Sequence, residues 1–137
     1  MGTYWLITAI ILGAIFTYLN NQKKFVDSFY KNLTDEQLYK ETIIILNKIL
    51  ALHDKNSDFI YSGLEDYDDL KQTISVYKES LIKYNFETIL KLRSDFAPTG
   101  LFQELSIQNE WTEAYTELVD KFNIIYNTIE ERLKNYS

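Results

Sequence analysis

The residues best equipped for chemistry stand between Asp54 and Glu65, in the stretch HDKNSDFIYSGLED. Counting from Asp54, oxygen-bearing side chains recur at Asp54, Asn56, Asp58, Ser62 and Glu65. Hard divalent cations take about six to eight oxygen ligands, and a short loop that turns carboxylates and carbonyls toward one point can supply them. The expected chemistry is ordering on ion binding rather than bond making.

This spacing resembles the calcium loop of an EF-hand, over residues 54–65 only. The resemblance implies a metal-responsive helical module that binds calcium through the 54–65 loop. Two positions depart from the pattern. Phe59 stands where glycine permits the sharp turn, and Tyr61 stands at the usual aliphatic position. The competing reading of the same residues is a polar, solvated connection between two helices.

No other constellation has comparable spacing. His53 is the only histidine, and at a helix end it reads as a capping or solvated residue. The Glu-x-x-His of di-metal bundles is missing, because Leu50 stands where its Glu belongs. The Arg-then-His pattern of the HEPN-type helical ribonucleases is missing too, since neither Arg93 nor Arg132 is followed by a histidine. There is no Gly-rich phosphate loop, and without cysteine there is no disulfide, thiol nucleophile or thiolate-bound metal. The acidic run Glu65, Asp66, Asp68 and Asp69 suits the positive end of a helix macrodipole. The chain is accordingly expected to be non-enzymatic and to need no cofactor.

The net charge of -6 argues against a nucleic-acid surface, because phosphate binding depends on clustered Lys and Arg. With one proline and four glycines in 137 residues, a β-rich domain would lack its turn residues. The fold class expected is all-α.

The elements that must position these residues begin with WLITAIILGAIFTYLN. From Thr3 to Leu19 the chain carries no charge. As a helix this run covers about 25 Å, the lower limit for crossing a bilayer. Tyr4 and Trp5 at one end and Tyr18 at the other suit the headgroup region, and Lys23 and Lys24 follow as a polar flank. A cleaved secretory leader would have a basic start and a small-x-small exit, whereas this one opens MGTYW and leaves through FTYLNNQ. Residues 1–20 are therefore expected to form a single transmembrane anchor. Lys23, Lys24 and Lys31 after the span, with no Lys or Arg before it, orient the remainder toward the cytoplasm. Within the span Ala9, Gly13 and Thr17 share one helix face, and small side chains at that spacing let two helices approach closely in lipid.

Residues 21–137 are expected to form a small antiparallel bundle of about three long helices, coiled-coil-like in its seams. Phe25, Val26, Phe29 and Tyr30 continue the anchor helix to about residue 31. Thr34 and Gln37 form a capping box that starts a helix at Asp35, with Leu38, Ile45, Ile49 and Leu52 facing inward and an end near His53. Tyr67, Leu70, Ile74, Tyr77, Leu81 and Tyr84 read as a second helix that runs on through Ile89 to about Arg93. Residues 94–106 break the pattern at Pro98 and Gly100 and read as a connection. Trp111, Tyr115, Leu118, Phe122, Ile125, Ile129 and Leu133 write the last helix. Glu-to-Lys pairs four residues apart (Glu36–Lys40, Glu79–Lys83, Glu87–Lys91, Glu117–Lys121 and Glu130–Lys134) fall within the same segments.

The function these features imply is that of a single-pass membrane protein whose helical domain makes protein–protein contacts. An accessory or regulatory subunit of a membrane-associated assembly fits that description. Its expected partners are the lipid bilayer and a protein partner or second copy, engaged through the transmembrane helix and the bundle.

Overall fold

The structure, a computed structural model, describes residues 2–136. Met1 and Ser137, the outer ends of the two ranges expected above, lie outside it. All six elements are α-helices, with no strand among the described residues. The chain divides into two units, one ending at Leu33 and one beginning at Thr34.

The first unit is the helix α1, Gly2–Lys31. Its 30 residues continue past the apolar run, as the Phe25–Tyr30 pattern implies. None of the residues from Gly2 to Phe25 is buried, and Tyr4, Trp5 and Ile10 are each more than 65% exposed on different faces. Polarity inside the run is contained locally. Thr8 donates its hydroxyl to Tyr4 O at 2.8 Å and Thr17 to Gly13 O at 2.9 Å, so neither needs an outside partner.

The second unit contains α2 (Asp35–Ala51), α3 (Tyr67–Ile82), α4 (Phe86–Asp95), α5 (Leu101–Gln108) and α6 (Thr112–Asn135). The start of α2 is the expected capping box. Gln37 N–H donates to Thr34 Oγ1 at 3.2 Å, and Thr34 N–H donates to Gln37 Oε1 at 2.9 Å. Asp66 caps α3 by accepting from Asp69 N–H at 2.9 Å, with Asp68 and Asp69 in the first turn. The acidic run is thus a helix start.

The body has five helices where about three long ones were expected. The second expected helix is broken into α3 and α4 by a reversal at residues 83–85. Tyr84 takes φ 57°, and Asn85 N–H bonds Ser80 O at 3.2 Å while Tyr84 N–H bonds Leu81 O at 3.0 Å. This is the Schellman ending that usually places glycine at the left-handed position. A tyrosine there hides the stop, and Asn85 then caps α4 through Glu87 N–H at 2.9 Å. The expected connection over 94–106 is only partly a loop, because α5 starts at Leu101. Pro98 and Thr99 (φ 63°) turn the chain, closed by Gly100 N–H to Ala97 O at 2.8 Å. A second hidden stop ends α5, where Glu110 takes φ 61° and Trp111 N–H bonds Ser106 O at 2.9 Å.

The core follows the apolar seams. Leu38, Ile45, Leu46 and Ile49 of α2, Leu70, Ile74 and Leu81 of α3, and Leu118, Phe122, Ile125 and Ile129 of α6 are buried. Leu52, Tyr84 and Leu133, expected in the same seams, are exposed because each lies at or beyond the end of its packed stretch. α6 packs on α2, α4 and α5, and α2 packs on α3. Phe96 sits between Phe102 and Phe122 with ring centroids 4.8 and 4.7 Å away. Burial of each such side chain contributes about 1.5–3 kcal/mol, which makes this core the main source of stability. Three of the anticipated ion pairs close: Glu36–Lys40, Glu117–Lys121 and Glu130–Lys134. In the Glu79–Lys83 pair, Lys83 is already the cap residue beyond α3.

Candidate functional site

Two surfaces carry the residues singled out above, one in each unit. On α1, Ala9, Gly13 and Thr17 are exposed, and a Cβ added at Gly13 would meet nothing within 4 Å. The stripe is therefore open along its length. Tyr4, Trp5 and Tyr18 are 78%, 80% and 62% exposed, and Lys23 and Lys24 follow on the same helix, also exposed.

The 54–65 loop is ordered by its own polar groups. Asp54 Oδ1 accepts from Asn56 N–H at 2.7 Å, Asp58 Oδ1 from Ile60 N–H at 2.9 Å, and Ser62 Oγ donates to Phe59 O at 2.8 Å. Glu65 contributes its backbone N–H to Asp69 Oδ2 at 3.0 Å. Phe59 turns inward and is buried, which anchors the loop by an apolar side chain where an ion-binding loop has glycine. Among the described residues, no three His, Asp or Glu side chains converge as a cation site. Three of the five oxygen-bearing side chains (Asp54, Asp58 and Ser62) thus serve turns within the loop.

Contacts across the chain hold this loop in place. Asn109 at the α5–α6 corner accepts Asp58 N–H at 2.7 Å and donates to Asp58 O at 2.9 Å, and Gln108 Oε1 accepts Tyr61 N–H at 3.3 Å. Ile60 and Tyr61 project outward, each at least 75% exposed.

His53, expected at a solvated helix end, is instead buried beside the loop. Trp111 covers it, with ring centroids 5.4 Å apart. The difference arises because Trp111 and Phe59 each pack against the imidazole beyond the end of α2, contacts that no local spacing announces.

Other polar groups that sequence reasoning missed lie between helices. Tyr77 of α3 donates to Asp95 of α4 at 2.6 Å. Burial pushes the Asp95 carboxyl above its ordinary value, opposed by that hydrogen bond, and raises the Tyr77 phenol. Arg93 stacks over the Tyr126 ring at 4.5 Å and donates to its hydroxyl at 2.9 Å. Arg132 near the end of α6 pairs with Asp35 at the start of α2, 2.7 Å apart. Beside that pair a cleft of ≈ 390 Å³ is lined by Tyr39, Tyr84, Phe86, Ile129 and Leu133. Burial first, and the Asp35 charge second, raise the Tyr39 phenol. These groups fasten helices to one another, and each has a structural partner.

The molecule is an all-helical protein with one N-terminal helix long and apolar enough to cross a membrane by length and composition, with a mean hydropathy of 1.6 in its most apolar window. No protein-family model, no curated protein and no solved structure matches the chain significantly.

Proposed function

We propose that this chain is a single-pass membrane protein whose helical body, held at the cytoplasmic face, binds other proteins without performing catalysis. The observation that supports this reading is the contrast within α1 and the body. α1 exposes apolar side chains on every face over its first 24 residues, from Gly2 to Phe25, whereas the body closes its own core. A water-exposed helix of this composition would leave a large apolar surface unpaired, and lipid removes that cost while the helix satisfies its backbone internally. Tyr4, Trp5 and Tyr18 then sit at interface depth. Lys23, Lys24 and Lys31 favour the cytoplasmic side.

The accessory or regulatory role rests on tethering. A body confined to a surface meets membrane-bound partners at raised effective concentration, so a modest binding face suffices. The Ala9–Gly13–Thr17 stripe serves the same role within the bilayer, for a second copy or a partner helix. Arg93, Asp95 and His53, the groups otherwise suited to catalysis, are each hydrogen-bonded to another part of the body.

The deciding experiment uses the full chain with a C-terminal tag. Alkaline extraction of membranes, followed by intact mass measurement of the pellet, should recover the protein uncleaved in the lipid fraction, and crosslinking there should trap a partner or homo-oligomer. Protease added from the cytoplasmic side should digest the body. Recovery as a detergent-free monomer, or as a chain lacking residues 1–20, sinks the reading.

A further inference from the structure

The His53 ring is 6% exposed and lies where the end of α2, the loop after it and the α5–α6 corner come together. Nδ1 is 2.7 Å from Ile49 O, and Nε2 is 3.1 Å from Trp111 Nε1. An indole nitrogen only donates, so Nε2 is the acceptor and carries no proton. Nδ1 therefore bears the ring hydrogen and donates to the carbonyl. Phe59 of the loop closes the enclosure, its ring centroid 6.1 Å from the imidazole. Both ring nitrogens are committed, and only the neutral ring satisfies both bonds.

We propose that His53 and Trp111 form an acid-sensitive latch. A solvent proton taken up on Nε2 sets N–H against N–H, breaks the indole–imidazole bond, and frees the loop from the α5–α6 corner so that Phe59 is uncovered. No covalent bond other than the new N–H changes. The loop is released because Asn109 and Gln108, which grip Asp58 and Tyr61, immediately precede Glu110 and Trp111 and shift with them.

The charged groups nearest in sequence to the segments that enclose the ring are Asp54 and Lys55 after it, Asp58 in the loop, and Glu110 and Glu113 beside Trp111, all exposed; Asp54 is the one whose charge acts on the imidazole. Burial lowers the imidazole below its ordinary value. The Ile49 carbonyl and the Asp54 charge act the other way without overcoming it. A lowered folded value means the latch stabilises the fold fully above the unfolded value of about 6.5, and that this stability is lost as pH falls through the folded value. Most carboxylates titrate lower still, near about pH 4. The device is independent of where α1 resides.

The test follows the Trp111 indole N–H resonance of the full-length protein in detergent micelles, together with amide exchange over 57–64 corrected for its intrinsic pH dependence. Between about pH 7.5 and about pH 5 the Trp111 resonance should shift in one transition centred below about pH 6.5, while Trp5 stays constant as an internal control. Loop exchange should accelerate by up to about tenfold per pH unit between about pH 6.5 and that midpoint, and level off below it. His53→Gln offers an amide oxygen to the indole but no titration, so its loop exchange should stay flat. Trp111→Phe should return the His53 titration toward the ordinary value. A Trp111 resonance that does not move, or loop exchange that does not follow it, overturns the latch. So does a His53 titration unchanged in Trp111→Phe. If a variant fails to fold, the unmodified protein's titration decides by itself.

Discussion

α1 and the helical body are both helices built on apolar residues, yet they distribute those residues in opposite ways. α1 spreads Trp5, Leu6, Ile10, Leu12, Ile15 and Phe16 around its whole circumference and buries none of them. The body confines Leu38, Ile49, Leu70, Ile74, Phe122 and Ile129 to stripes and buries them against one another. Their charges differ as well, because Lys23, Lys24 and Lys31 outnumber Asp27 in α1 although the whole chain is net acidic at -6. The lesson is that apolar content alone does not define a core. A stripe finds its partner within the chain, whereas an apolar cylinder needs a surrounding apolar solvent.

The contrast can be broken most strongly inside the body. Phe122 is fully buried against Phe96 at 4.7 Å, so Phe122→Ala should cost about 3–5 kcal/mol of body stability. Thermal unfolding should show the loss while membrane fractionation is unchanged. The reciprocal variant is Leu12→Arg, in the middle of the apolar run. A charge at mid-span costs about 2.5–3.5 kcal/mol of insertion. It should move the chain from the alkali-resistant pellet to the soluble or aggregated fraction, with the melting of the body unaltered. If Leu12→Arg instead melts the body and leaves fractionation alone, the two regions do not differ in the way described.

Two smaller effects sharpen the picture of the body. Thr34→Ala removes the oxygen that accepts Gln37 N–H and should destabilise by about 1 kcal/mol, read by chemical denaturation. Glu110→Gly relieves the left-handed backbone at φ 61°. It should raise stability by about 0.5–1 kcal/mol, the strain released less the extra chain entropy of glycine. A loss of stability on that substitution would mean the Glu110 side chain makes a contribution larger than the strain.

Local rules made a large part of the fold legible. The capping box at Thr34, the acidic start of α3 and the apolar seams of α2, α3 and α6 involve residues within a turn or two of each other, so spacing suffices to read them. The breaks at Tyr84 and Glu110 were not legible, because neither position holds the glycine or proline that normally marks a stop. Backbone hydrogen bonds that close the helix ends hold these exposed residues in a conformation their own chemistry disfavours. The loop at 54–65 shows the same limit. Its spacing matched an ion-binding pattern, but Phe59 entering the core gave Asp54, Asp58 and Ser62 turns within the loop to serve.

The chain's sequence by itself determined its helical class, the apolar continuity of α1 and the caps that begin α2 and α3, since these depend on interactions between near neighbours. Only the tertiary structure decided the fates of His53, Asp58 and Asp35. Their partners Trp111, Asn109 and Arg132 lie 58, 51 and 97 residues away. Contacts over such separations form only when helices have packed, because closing so long a stretch of chain costs more entropy than one hydrogen bond repays.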